Sequence, residues 1–145
     1  MAAIPQVRKT GPRTYVPAEQ ILGGQVVEAR AASRVGVAAA GSLKVLGVAV
    51  TDGINPEAFV GTSTVVNGLP TLNAVQLPGH VVVADSGIEV PVTYAAAAAF
   101  GDRLIAGAAG TVTPAGLTPD ARSVVGICSE PNGVAINATG LVRTL

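Results

Sequence analysis

Glycine and proline interrupt this chain about every five residues, 18 Gly and 10 Pro in 145. Such spacing leaves room for short strands and tight turns and very little for helices. Between the breaks lie short aliphatic runs: Val26-Val27, Val35-Gly36-Val37, Leu43 to Val50, Val65-Val66, Val81 to Val83, Ile88 to Val92, Leu104-Ile105, Val124 to Ile127 and Leu141-Val142. Their β-branched character marks them as strands. The dipeptides Asp52-Gly53, Asn67-Gly68 and Asn132-Gly133 tolerate positive φ and mark turns. Nine or so short strands in a chain of single-domain length predict an all-β fold, a small β-barrel or sandwich. One segment dissents. Tyr94 to Phe100, with five consecutive alanines before Gly101, predicts one short helix or turn laid over an end of the barrel.

Residues 1–18 read as an extended N-terminal arm, because Pro5, Pro12 and Pro17 remove amide donors and disfavour helix at the residues before them. The arm holds Arg8, Lys9 and Arg13 and no acid before Glu19, so these three cations are the candidate anchors on a partner surface. Residues 19–145 form the β-barrel domain, with a loop-rich insert at about 51–80 that carries Asn55-Pro56, Leu69-Pro70 and Leu77-Pro78-Gly79. A weak internal repeat runs through the domain. Thr14-Tyr15 recurs as Thr93-Tyr94, Gly24 to Ala29 as Gly101 to Ala106, and Val45 to Ala49 as Val124 to Cys128, at offsets of 79, 77 and 79 residues. Either chance in a Val/Gly/Ala-rich chain produces this, or two similar β-units close on each other with residues 51–80 inserted between them.

Charge is sparse and balanced, nine basic residues against nine acidic, which argues against nucleic acid or an anionic membrane as partner. The apolar content of 49% is mostly Ala and Val, with two Phe, two Tyr and no Trp. The core is therefore thin, and much of the surface is apolar or backbone, as in a protein covered by its own copies or by a scaffold. The single Cys128 excludes an internal disulfide and sits in an apolar run, which predicts a core thiol. No signal peptide or membrane-spanning run is evident, so synthesis in a reducing cytosol is expected.

Chemistry is scarce. His80 is the lone histidine, without a nucleophile motif beside it. Asp52, Glu57, Asp85, Glu89, Asp102, Asp120 and Glu130 are scattered singly, with no metal-loop spacing, and Gly107-Ala108-Ala109-Gly110 lacks the residues of a phosphate cradle. No enzyme activity, no cofactor and no metal are expected from these residues.

The second half carries a further signal. Pro91-Val92-Thr93-Tyr94, the alanine run, Gly101-Asp102-Arg103-Leu104, Gly110-Thr111-Val112-Thr113-Pro114, Val124 to Val134 and the close on Gly140-Leu141-Val142-Arg143 resemble the small head-decoration (cement) proteins of tailed phages that infect actinobacteria. The resemblance covers about residues 80–145, and more loosely the strand near residue 24. It implies a β-barrel on the outer capsid surface of the virion, as a trimer more readily than a dimer, bridging and stabilising neighbouring copies of the major capsid protein. Two other readings stay open: a tail-tube or other virion structural subunit, and a small β-barrel enzyme or sugar-binding module with His80 beside two acids.

Overall fold

The computed structural model describes residues 11–58, 63–72 and 77–145. It is all-β. Five strands, β1 (Arg13–Pro17), β2 (Val26–Ala29), β3 (Arg34–Val37), β4 (Val45–Ala49) and β7 (Val81–Ala84), close into a barrel in the order β1-β3-β2-β4-β7. β1 and β3 run parallel and the other pairs antiparallel. Between β4 and β7 a separate hairpin forms from β5 (Ser63–Val66) and β6 (Leu69–Leu72). Its turn is Asn67-Gly68, both residues at positive φ, as the dipeptide predicts. The second half supplies β8 (Glu89–Thr93), β9 (Arg103–Ala106), β10 (Val112–Pro114), β11 (Val124–Cys128) and β12 (Thr139–Thr144), in the order β10-β9-β11-β12-β8. The helical residues described are 3-10 turns of three residues each.

The two halves are the same unit built twice, and the backbone shows this more clearly than the sequence does. Pro17 pairs in parallel with Val35, and 77 positions on, Tyr94 makes a parallel bridge to Val112. That bridge joins the two open edges of the second sheet, so it rolls up as the first does. The antiparallel bridge Ile21–Gly53 has its counterpart in Ala98–Val134. Even capping repeats: Gln25 Oε1 accepts from the Leu22 amide at 2.8 Å, and Asp102 Oδ2 from the Ala99 amide at 2.8 Å. The turn after β2 puts Ala32 at φ 57, ψ 34, and the turn after β9 puts Ala109 at φ 55, ψ 33. Pro17 is thus the equivalent of Tyr94, and the Thr14-Tyr15/Thr93-Tyr94 match is out of register by two residues.

Those paired turns hold alanine in the left-handed region, at a cost of about 1–2 kcal/mol that glycine does not bear. Glycine's extra unfolded-state entropy, about 0.5–1 kcal/mol, takes back part of that gain. Ala32→Gly and Ala109→Gly are each expected to stabilise the protein by about 0.5 kcal/mol, read as a higher urea midpoint at unchanged slope.

Two expectations are corrected. The arm is shorter than residues 1–18, because Arg13–Pro17 is β1, paired with β7 on one side and β3 on the other; prolines are compatible with a strand where their missing amide faces no ladder partner. The alanine run is not a helix. Ala95 N donates to Val112 O at 2.8 Å and Ala98 N to Val134 O at 2.9 Å, so bonds to distant strands take the amides a helix would use. Two turns of intrinsic propensity cannot outweigh that.

Two apolar clusters hold the fold. Ile21, Val27, Val35, Ala49, Val81 and Val83 fill the first barrel. A larger one combines Tyr94, Leu104, Val112, Val125, Cys128 and Val142 of the second unit with Val26, Val48 and Ala84 of the first. Adjacent residues of β2 therefore face different cores, Val27 the barrel interior and Val26 the junction between units, which is why these strands read as unbroken apolar runs. Cys128 is fully buried and free, as expected. Tyr94 is fully buried too, and its hydroxyl donates to Leu141 O at 3.0 Å; burial, with the Cys128 side chain beside it, pushes its ionisation far up.

Candidate interaction surfaces

β1 carries Arg13 at the point where the arm meets the barrel. Its guanidinium Nε lies 3.0 Å from Asp85 Oδ2, just past the end of β7. The ion pair is half exposed and contributes little to stability, but it gives Arg13 a partner within its own barrel. Arg8 and Lys9 lie outside the described residues. The three proposed anchors are therefore not seen together, and Arg13 belongs to the barrel rather than to the arm.

The charged groups on the barrel wall support structure. Glu28, on β2, is buried; it accepts from the Ala39 amide at 3.2 Å and pairs with Arg30 at 3.2 Å, which also reaches Glu19 at 3.5 Å. Burial pushes the Glu28 carboxyl up, but Ser42, the Ala39 amide and the charges of Arg30 and Lys44 together carry it below its ordinary 4.5. A depressed carboxyl stabilises the fold above its unfolded-state value and loses that contribution as pH falls through the folded one. Glu28→Gln is therefore expected to destabilise at pH 6 and to cost progressively less below about pH 4.5, checked by urea titrations of both proteins from pH 6 to pH 3. Arg34 forks onto Glu57 and donates to Asn55 Oδ1 at 3.1 Å, tying down the start of the insert. Asp120 caps the turn before β11 through the Arg122 amide and guanidinium, which hold its carboxyl down at about 2.

Where the two units meet, a groove of about 700 Å3 opens between Leu22–Gln25 and Ala49-Val50 of the first unit and Val90–Thr93, Ala109–Thr111 and Thr139 of the second. Leu22 and Val50 are half exposed in it. None of its lining residues is ionisable, and the groove offers apolar contact, backbone hydrogen bonds and the polar side chains of Gln25, Thr93, Thr111 and Thr139. His80 does not line it; its side chain is exposed near the entrance to β7. Among the described residues no three His, Cys, Asp or Glu side chains gather as metal ligands, and no helix is long and apolar enough to cross a membrane. The groove was not legible in the sequence, since its walls come from five separated segments.

The β5–β6 hairpin is the other prominent surface. Val65, Val66 and Leu69 are 72%, 53% and 68% exposed, and the hairpin pairs with no other described strand. Its signal was present in the sequence as Asn67-Gly68 between aliphatic residues, but β6 was hidden by Pro70, a residue that argues against a strand interior.

No known protein family matches this chain, and no curated protein matches it in sequence. Among solved structures it is similar to the head fiber gp8.5 N base of bacteriophage phi29, with a TM-score of 0.55 at 17% identity, over 94% of this chain and 95% of that one. What the two proteins share is the fold, along nearly their whole lengths.

Proposed function

We propose that this chain is a structural, non-enzymatic protein of a phage head, acting as a decoration or cement protein on the outer capsid surface. The observation that carries the reading is the end-to-end fold likeness to a phage head fiber base. The resemblance of residues 80–145 to head-decoration proteins points the same way on separate grounds. A groove without ionisable residues and apolar surface on a charge-poor chain suit a protein that attaches by many copies of a modest contact, where avidity replaces a deep site. Its partners are the major capsid protein and further copies of itself, in a trimer before a dimer; nucleic acid, membranes and cofactors play no part.

The test is the copy number of this chain in purified particles of the phage that encodes it, by quantitative mass spectrometry against the major capsid protein. A simple symmetry-determined ratio is expected. Absence from the head, or enrichment in tails, would replace this reading with the tail-tube one.

A further inference from the structure

The repeat shows what the insert adds. The offset between equivalent residues is 79 at β4 and β11, as in Thr51 and Glu130, whose side chains accept from the Val82 and Leu141 amides. It falls to 59 at those two amides, so the first unit carries 20 more residues than the second in the same connection. The second unit completes its five-stranded sheet, bridged edge to edge at Tyr94 and Val112, without them. The extra chain is thus not needed for the fold, and it includes the projecting β5–β6 hairpin.

We infer that this hairpin is the contact by which copies of this chain join into a closed ring. From Ala58 to Gly79 there is no Asp, Glu, Lys, Arg or His. Two copies can therefore meet there without stripping water from an unpaired charge, whereas a charged partner surface would find no counter-ion on the hairpin. Its apolar residues also lie on both faces. Val66 and Leu69 are directly paired and share one face, while Val65, next in the strand, takes the other. An isolated two-stranded hairpin is marginal in water, and one flat contact would leave half of these residues exposed. A ring, in which each hairpin sits between two neighbours, covers both faces and closes without open ends. Among the described residues no strand pairs with the hairpin's outer edges, and such edges suit strand-to-strand docking.

This deepens the oligomeric part of the function proposed above and makes no use of its capsid part. The experiment is light scattering after size exclusion on the full chain and on two variants. One replaces residues 59–76 with a short Gly-Ser linker; the other, Val65→Lys with Val66→Lys, puts charge on both exposed faces. The full chain is expected to run at three or more times its 14.3 kDa, and both variants at the monomer mass with unchanged circular dichroism. A full chain that is monomeric at about 100 µM, or a folded variant that stays oligomeric, overturns the inference. Head co-sedimentation separates the two proposals. An oligomer that depends on the hairpin but ignores heads removes the capsid reading alone. A monomer that needs the hairpin to bind heads overturns the ring and assigns the hairpin to the capsid.

Discussion

Gly126→Ala and Gly47→Ala are each expected to unfold the protein or to destabilise it by more than about 4 kcal/mol. A Cβ on Gly126 would stand 2.4 Å from Arg143 O and 2.8 Å from Val142 Cγ1; on Gly47 it would stand 2.1 Å from Ala84 O. In both cases the obstacle is the carbonyl of the neighbouring strand, which cannot move without breaking its ladder. Each glycine lies beside a register shift, Gly126 in the β9–β11 pairing and Gly47 in the β2–β4 pairing. A bulge there presses the strand toward its other neighbour. Total stability of a domain this size is about 5–15 kcal/mol, so one such change consumes much of it. Gly116→Ala is the control: nothing lies within 4 Å of the added carbon, and its expected effect is within about 0.5 kcal/mol. Thermal melts of the three proteins decide the matter, and a native-like melt for Gly126→Ala would show that the strands can separate more easily than their packing implies.

The second large effect concerns the N-terminus. Removing residues 2–17 takes away β1, the strand that joins β3 to β7 and closes the first barrel. It also uncovers the cluster around Val35, Val81 and Val83, against which Tyr15 packs. Each fully buried Val is worth roughly 1.5–3 kcal/mol, so partial exposure of three, with two lost ladders, is expected to cost more than about 4 kcal/mol. Removing residues 2–10 alone leaves β1 in place and is expected to shift Tm by less than about 2 °C. The pair of truncations also isolates the arm, since Arg8 and Lys9 leave with the shorter deletion and Arg13 does not. Lost capsid binding with an unchanged melt would assign the contact to the arm, while retained binding would assign it to the barrel or the hairpin.

The two alanine-rich turns and the alanine run show where local reasoning stops. Neither Ala32 nor Ala109 announces a left-handed conformation, yet both units place one at that alanine because the chain must reverse from one strand into the next. Ala95 to Ala99 prefer helix by themselves, and are drawn into strand-like bonding by Val112 and Val134. Pro12 and Pro17 suggested a free arm, yet Pro17 ends β1 and pairs with Val35.

That the protein is all-β could be read from its residues alone. Its aliphatic runs fall on nine of the twelve strands among the described residues, its Asn67-Gly68 turn is where the dipeptide placed it, and Cys128 lies in the core. These are local properties, set by side-chain branching, backbone freedom and hydrophobicity within a few residues. Which strands are neighbours was settled by long-range pairing. It set the true offset of the repeat, the inclusion of residues 13–17 in a barrel, the carbonyls that forbid a Cβ at Gly47 and Gly126, and the groove between the units. Each of these depends on pairing between segments tens of residues apart, and in a chain where most strands are Val, Ala and Gly many pairings look alike until the barrels close.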